Sequence, residues 1–378
     1  MIQTTFDPHH QAVRALMDWL TFGRVILVRS RRAFSSVVVL GCLLMTAPTA
    51  MAQLVSGYGS LPGFSENTSP KRIGDAHRFE KAQNQLKGEI RPEDEIWLIS
   101  TRQLCQSSSA SAGSTFQQAE VARWSDGCWQ TSSSAQLLQE INADQIRSNL
   151  LFVHGNRTDL QWANLRGVET YERIILSPEN VCHGAEVAPP IRWIIWAWNS
   201  DPINGPRLDL AVKKQRAIDQ GSYLAEFFQA IEQPSMGVFA YSLGAQALTS
   251  ALRVHRIQST DHAAASAVVC GGPQLDVVMV AAAVPTCWFH TEDAEMSLPA
   301  CVSRLTLINN PEDRALKVYQ RFTQQHPIGL NNRQLAPGIR AETYLVAGNS
   351  LDNHYLSRYM EHPQTRLLIR QGLLPETK

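Results

Sequence analysis

Apolar runs of strand length alternate with helix-length segments from residue 150 onwards. The strands are predicted at residues 150–153, 191–198, 236–241, 277–284, 305–308 and 344–346, and the helices at residues 160–175, 208–231, 245–254, 314–325 and 355–360. A strand that is apolar throughout must be buried on both faces, and a helix is the usual connection between parallel strands. This alternation predicts an α/β fold in which a mostly parallel central sheet has helices on both faces.

Two more strand-length segments precede this region, at residues 96–100 and 121–129, on either side of the polar stretch 106–114. They predict an antiparallel edge to the sheet. The chain has 378 residues, of which 44% are hydrophobic, so it can bury a large core. Its 34 Lys and Arg residues balance 34 Asp and Glu residues, which argues against a nucleic-acid partner.

The N-terminus has the pattern of a secretion signal. Four arginines between residues 24 and 32 precede an apolar run at residues 37–45, and Ala50-Met51-Ala52 follows. This order predicts cleavage after Ala52 and a periplasmic or secreted protein. In the alternative, residues 33–51 stay attached as an inner-membrane anchor. The predicted organisation is therefore a signal peptide or anchor at residues 1–52, an irregular lead-in at 53–92, and one folded domain at 93–378.

Six cysteines follow the signal segment, and an even number in an exported chain suggests disulfides. The predicted pairs are Cys105 with Cys128, Cys287 with Cys301, and Cys182 with Cys270. Because no two of these cysteines have the close C-x-x-C spacing of a zinc site, a metal site is not indicated.

Ser242 lies where the strand 236–241 runs directly into a helix. Ala240 and Gly244, two positions before and two after it, are small. A serine in this setting looks like a nucleophile elbow, whose tight turn leaves little space at those two positions. The usual G-x-S-x-G pattern has glycine where this chain has Ala240. The alternative is an ordinary strand-to-helix turn with a capping serine.

His354 is the predicted general base. In the chain order serine, acid, histidine, the histidine falls in a loop after the last strand, and His354 follows the strand 344–346 through a polar loop. The other histidines beyond Ser242 lie in less suitable positions: His255, His262, His290, His326 and His362.

The acid is expected after the preceding strand, where residues 305–308 lead into Glu312 and Asp313. A carboxylate there can hold the imidazole in the required tautomer. Both side chains could instead favour the positive end of the following helix. Glu312 and Asp293 remain alternatives to Asp313.

Several of these segments together resemble a bacterial α/β-hydrolase family of poorly defined substrate, over about residues 95–360. The shared features are a strand ending in an HG-x loop, a tryptophan-bearing strand, a serine elbow, an Asp-x-Ala-Leu segment and a late histidine followed by an aromatic residue. Here they appear at residues 152–156, 194–200, 240–244, 313–316 and 354–355. The tryptophan strand departs from the family in lacking a Ser-Trp-Pro-Ser run, which bears on the substrate pocket.

The resemblance implies roles for individual residues. It favours Asp313 as the acid, and it implies an oxyanion hole made by the backbone amides of Leu243 and Asn156, with His154 shaping the loop. Trp196, Trp198, Asn199 and Asp201 are candidates for the pocket mouth, although tryptophans on a buried strand are more often part of the core.

The predicted function is that of an exported serine hydrolase that cleaves a carboxylic ester, thioester or amide through an acyl-enzyme. The substrate would be a small-molecule or lipid-like ester. The sequence has no glycine-rich phosphate loop and no cluster of metal-ligating residues, so no cofactor is predicted. The alternative is a catalytically silent binding or envelope-scaffolding protein that keeps the hydrolase fold.

Overall fold

A computed structural model describes residues 90–104, 115–176, 189–261, 272–289, 301–330, 341–345 and 354–374. Residues 1–89 lie outside this range, so the signal peptide, the anchor and nearly all of the lead-in stay predictions. In the described part of the chain, no helix is both long and apolar enough to span a bilayer.

Nine strands form one mixed sheet. They are β1 (Glu95–Ser100), β2 (Glu120–Ser125), β3 (Cys128–Ser132), β4 (Ser148–Val153), β5 (Ile191–Ala197), β6 (Ser235–Tyr241), β7 (Gln274–Val280), β8 (Val302–Asn309) and β9 (Ala341–Leu345). Their order in the sheet is β3-β2-β1-β5-β4-β6-β7-β8-β9. The pairs β1–β2 and β2–β3 are antiparallel, and the other six pairs are parallel. The mostly parallel sheet and its antiparallel edge are therefore confirmed.

The predicted strand 121–129 is wrong in one respect, because the structure divides it into β2 and β3. Asp126 and Gly127 form the turn between them, with φ angles of 55° and 77°. Two consecutive positive φ angles favour a tight turn between antiparallel strands, and Asp-Gly is a preferred sequence for it. This dipeptide is the sequence signal for the hairpin.

Seven helices accompany the strands in the described residues. They are α1 (Ser134–Ala143), α2 (Leu160–Ile175), α3 (Pro206–Gln229), α4 (Leu243–Asp261), α5 (Arg314–Thr323), α6 (Leu356–Glu361) and α7 (Pro363–Leu373). The sequence analysis did not predict α1 or α7. In α7, Gly372 packs so closely that a Cβ there would lie 2.5 Å from Val278 of β7.

Two tryptophans of β5 show that helices cover both faces of the sheet. Trp193 donates a hydrogen bond to the backbone oxygen of Gly167 in α2 at 3.0 Å. Trp196 donates to Oε1 of Gln220 in α3 at 2.9 Å. Because side chains three positions apart in a strand point to opposite faces, α2 and α3 lie on opposite sides. Both tryptophans are fully buried, so Trp196 belongs to the core and not to a pocket mouth.

Two of the predicted disulfides are wrong, because Cys128 and Cys287 are free cysteines. The thiol of Cys128 instead donates to the backbone oxygen of Ser125 at 3.3 Å. Cys301 lies just before β8, whereas Cys287 lies beyond the other end of β7, which runs parallel to β8. A strand of this length spans roughly 20 Å, far beyond the reach of a disulfide. The third pair, Cys182 with Cys270, lies outside the described residues.

Candidate active site

Ser242 occupies the turn between β6 and α4 with a φ angle of 54°. This left-handed conformation costs a residue with a Cβ roughly 1–2 kcal/mol, so the surroundings must hold it. The Ser242 amide donates to the backbone oxygen of Val280 at 3.0 Å. The backbone oxygen of Ser242 accepts from the amides of Ala245 and Ala283, each at 3.1 Å. The neighbouring strand end therefore fixes the turn.

The small residues around Ser242 have unequal importance. A Cβ at Gly244 would lie 2.4 Å from the backbone oxygen of Val153 and 2.5 Å from that of His154. These are backbone atoms that cannot move aside easily, so α4 approaches the end of β4 only because position 244 is glycine. Ala240, by contrast, accommodates its methyl group in the core with no exposed surface.

The structure brings Ser242, His354 and Asp313 into one hydrogen-bonded chain. Ser242 Oγ lies 3.0 Å from His354 Nε2, and His354 Nδ1 lies 2.7 Å from Asp313 Oδ2. With the carboxylate accepting from Nδ1–H, Nε2 is the nitrogen free to take a proton from Ser242. Ser242 is 4% exposed, whereas the side chain of His354 is 23% exposed, so the chain opens toward solvent at its histidine.

Asp313 is fully buried and makes bonds with both of its carboxylate oxygens. Oδ2 accepts from His354 and from the hydroxyl of Tyr359 at 3.2 Å, while Oδ1 accepts from the Leu316 amide at 3.0 Å. Burial alone would raise the pKa of Asp313, but the charge and hydrogen bonding of His354, with the other two donors, hold it below its usual value. Asp313 is also the N-cap of α5, so the same carboxylate faces His354 and caps the helix.

The alternative acids are placed differently. Glu312 pairs with Lys317 at 2.7 Å, and its side chain is 59% exposed. Its carboxylate is therefore engaged at the surface. Asp293 lies outside the described residues.

Two tyrosines that the sequence analysis did not single out make hydrogen bonds to members of the hydrogen-bonded chain of Ser242, His354 and Asp313. Tyr359, in the helix that follows His354, is 1% exposed, and burial followed by the charge of Asp313 raises the pKa of its hydroxyl. Tyr241, directly before the nucleophile, donates to the backbone oxygen of His354. Tyr241 connects the histidine segment to the end of β6, and Tyr359 connects it to the N-cap of α5. Their only sequence signal is position, next to Ser242 and five residues after His354.

His154 shapes the loop after β4, as expected. Burial lowers its pKa to about 3, so the ring is neutral. Nε2 accepts from the backbone amide of Trp198 at 3.2 Å, so Nδ1 carries the proton and donates to the Gly155 oxygen at 2.8 Å. The indole of Trp198 returns a bond to the His154 oxygen at 2.8 Å. The predicted mouth residue Trp198 therefore holds this loop.

The loop after β4 passes directly beside the nucleophile. A Cβ on Gly155 would lie 3.1 Å from the Ser242 Cβ and 2.8 Å from the ring of Tyr241. Asn156 follows Gly155, and Leu243 follows Ser242 as the first residue of α4. Within the described residues, neither of these two backbone amides has a hydrogen-bond acceptor. They are the predicted oxyanion donors.

The other candidates for the pocket mouth are tied to neighbouring cations. Asn199 accepts from Arg216 at 2.9 Å, and Asp201 pairs with the buried Arg102. In the described ranges, no group of three or more His, Cys, Asp or Glu side chains is arranged to hold a metal ion.

Comparison with known proteins finds similarity in structure but not in sequence. No protein-family model matches the chain, and no curated protein matches it. The chain is similar to the carboxylesterase CesB from Bacillus subtilis, with 10% identity and a TM-score of 0.32 over 79% of this chain and 98% of the other. For the naproxen esterase from Bacillus subtilis the values are 10%, 0.30, 77% and 98%. For lipase B from Aspergillus fumigatus they are 10%, 0.24, 63% and 60%.

The activities in these names belong to the similar proteins. The chemistry of the present site follows from its own residues. The mostly parallel sheet with helices on both faces, and the serine in a strained turn between β6 and α4, give the α/β-hydrolase fold that the sequence resemblance implies.

Proposed function

We propose that this protein is a serine hydrolase that cleaves a carboxylic ester, thioester or amide. The observation that carries the proposal is the chain from Ser242 Oγ to His354 Nε2, at 3.0 Å, and from His354 Nδ1 to Asp313, at 2.7 Å. A capping serine in an ordinary turn needs neither a histidine at hydrogen-bond distance nor a buried carboxylate behind it.

The reaction would proceed in two halves. Ser242 Oγ attacks the carbonyl carbon while His354 Nε2 takes its proton, and the backbone amides of Leu243 and Asn156 donate to the oxyanion. The imidazolium then gives its proton to the leaving group, and the acyl-enzyme remains. A water molecule, deprotonated by the same histidine, releases the acid and restores Ser242. Asp313 stays ionised throughout and stabilises the imidazolium.

The main test is labelling with a fluorophosphonate probe, which reacts only with an activated serine. The wild type should be labelled, whereas Ser242→Ala and His354→Ala should not be. Ser222→Ala is a matched control, because Ser222 is exposed on α3 and donates only to the Asp219 backbone oxygen. Folded wild-type protein that resists the probe would favour the silent binding protein and refute the hydrolase.

Export is a second part of the proposal, and it rests on the N-terminal sequence alone. A protein cleaved after Ala52 begins at Gln53 and is released from the membrane. N-terminal sequencing of the protein isolated from cells should read Gln53 first. An intact N-terminus in the membrane fraction would instead support the anchor at residues 33–51.

A further inference from the structure

The loop after β4, residues 154–159, contains a strained turn next to the proposed oxyanion donor. Arg157 has a φ angle of 57°, the left-handed conformation, directly after Asn156. Such a conformation is unfavourable for a residue with a side chain and persists only where neighbours impose it. The direction of the Asn156 amide therefore depends on what holds this loop.

Among the residues that the structure describes, the side chain of Asn156 has one polar partner. Its Nδ2 donates to Asp209 Oδ2 at 3.1 Å. Its Oδ1 is buried and has no hydrogen-bond partner among the described residues. The bond to Asp209 therefore fixes the position of this carboxamide. The backbone oxygen of the same residue accepts from Thr158 Oγ1 at 3.2 Å, so the carboxamide and the backbone of Asn156 are each held by one neighbour.

Asp209 joins three parts of the fold through one carboxylate. It lies in the first turn of α3 and is 3% exposed. Its other oxygen accepts from the Ile203 amide at 2.8 Å, in the loop after β5, and from Lys213 Nζ at 3.1 Å, one turn along α3. Asp209 thus connects the loop after β4, the loop after β5 and α3.

Lys213 is fully buried and also donates to the backbone oxygen of Asp201. Burial lowers its pKa to about 8, and the nearby charge of Asp209 opposes that decrease. A buried ion pair contributes little net stability compared with apolar residues of the same size. Helix α3 already packs through apolar side chains such as Phe227 and Phe228, so the pair has a local rather than a global purpose.

We infer that Asp209, paired with Lys213, is a positioning residue that directs the Asn156 backbone amide toward the oxyanion formed at Ser242. This inference rests on the proposed hydrolase function. An oxyanion exists only after attack on the carbonyl, so misplacing its donor weakens the transition state more than the bound substrate.

The test measures kcat and KM for a p-nitrophenyl ester that the wild type hydrolyses, and the affinity for a boronic acid, whose adduct with Ser242 places an oxygen in the oxyanion position. Asp209→Asn should lower kcat about 10- to 100-fold, part of the loss seen when an oxyanion donor is removed. KM should change less than about threefold, and boronic acid affinity should fall with kcat. Asp219→Asn is the matched control, because Asp219 is exposed on the same helix and bonds to Gln215.

A second variant guards against misfolding, because Asp209→Asn leaves Lys213 without its partner charge. Asp209→Leu combined with Lys213→Met removes both buried charges and keeps apolar volume. We expect this double variant to fold, with cooperative thermal unfolding, and to be at least as slow as Asp209→Asn.

A folded double variant with wild-type kcat and boronic acid affinity would overturn the positioning role. An equal loss in the Asp219→Asn control would also overturn it. Failure of the proposed function is a separate outcome, since the wild type itself would then resist the fluorophosphonate probe and leave the ester intact.

Discussion

Asp313 makes two kinds of contact through two different oxygens, so substitution can separate its capping role from its proposed catalytic role. Oδ1 caps α5 by accepting from the Leu316 amide at 3.0 Å. Oδ2 faces His354 Nδ1 at 2.7 Å. Asparagine can keep an oxygen at the first position but must place an NH₂ group at the second. Alanine removes both.

Asp313→Asn should therefore inactivate the protein without uncapping the helix. Its NH₂ group cannot accept from His354 Nδ1–H, so the ring takes the wrong tautomer and kcat should fall about 10³- to 10⁴-fold. Asp313→Ala should be equally inactive. It should also be less stable than Asp313→Asn by about 1 kcal/mol, the usual contribution of an N-cap side chain. Equal activity with unequal stability is the specific expectation.

The rate of fluorophosphonate labelling reports the first effect, and urea unfolding followed by circular dichroism reports the second. Glu312→Gln is the control, because Glu312 neighbours Asp313 in sequence and its side chain, among the described residues, bonds only to the exposed Lys317. Its labelling rate should equal that of the wild type, with a stability change within about 0.5 kcal/mol. If Asp313→Asn kept labelling within tenfold of wild type, or if Glu312→Gln lost it, Asp313 would not be the acid.

Three further substitutions test the surroundings of the site. Gly244→Ala should abolish labelling and lower the melting temperature, because its Cβ would lie 2.4 Å from a backbone oxygen of β4. The control Gly127→Ala has a strained backbone but open space around its Cβ. It should lose about 1 kcal/mol of stability and be labelled normally. Tyr359→Phe removes one donor to the Asp313 carboxylate and should lower stability by about 2 kcal/mol in urea unfolding, with a severalfold slower kcat; unchanged values of both would refute its role. Burial lowers the pKa of Lys213 to about 8, so between about pH 8 and 10 the unfolded wild-type chain binds more protons than the folded one and stability rises with pH. In Lys213→Met this contribution is missing, so the free energy of unfolding should rise less over the same window. Parallel curves of unfolding free energy against pH for the two proteins would contradict this.

The sequence predicts the parts of the site that depend on local pattern. Ser242 could be found because a buried strand, a small-residue turn and a helix are neighbours in the chain. His354 and Asp313 could be placed because parallel strands end at the same edge of a sheet. The proposed chain of three residues joins positions up to 112 apart in sequence, yet strand order alone brings them together.

Contacts that depend on side-chain packing were beyond the sequence. The bond between Asn156 and Asp209 joins residues 53 apart on a loop and a helix turn, and no periodicity marks it. The wrong prediction of a bond between Cys287 and Cys301 has the same origin, because spacing along the sequence does not reveal that the two cysteines lie at opposite ends of the neighbouring strands β7 and β8. The Asp126-Gly127 hairpin, in contrast, had a local signal and could have been predicted.

The distribution of backbone strain also argues for a functional site. Five residues other than glycine have positive φ angles in the described chain. Asp126 lies in a hairpin turn and Gln324 is the C-cap of α5, both positions where such a conformation is ordinary. The other three follow the ends of adjacent strands: Arg157 after β4, Ser242 after β6 and Ala281 after β7.

The hydrogen bonds of these strand ends hold two of the three strained residues, Ser242 and Ala281, against the neighbouring strands. The Ser242 amide bonds to the last residue of β7, the Ala281 amide bonds to Ile308 of β8, and Ser242 accepts from Ala283. Strain concentrated at the carboxyl ends of three neighbouring strands is typical of a functional site. A turn whose only task was to connect β6 to α4 could adopt an unstrained conformation. The fold thus tolerates unfavourable backbone conformations at the place where the proposed mechanism requires a fixed serine and two fixed backbone amides.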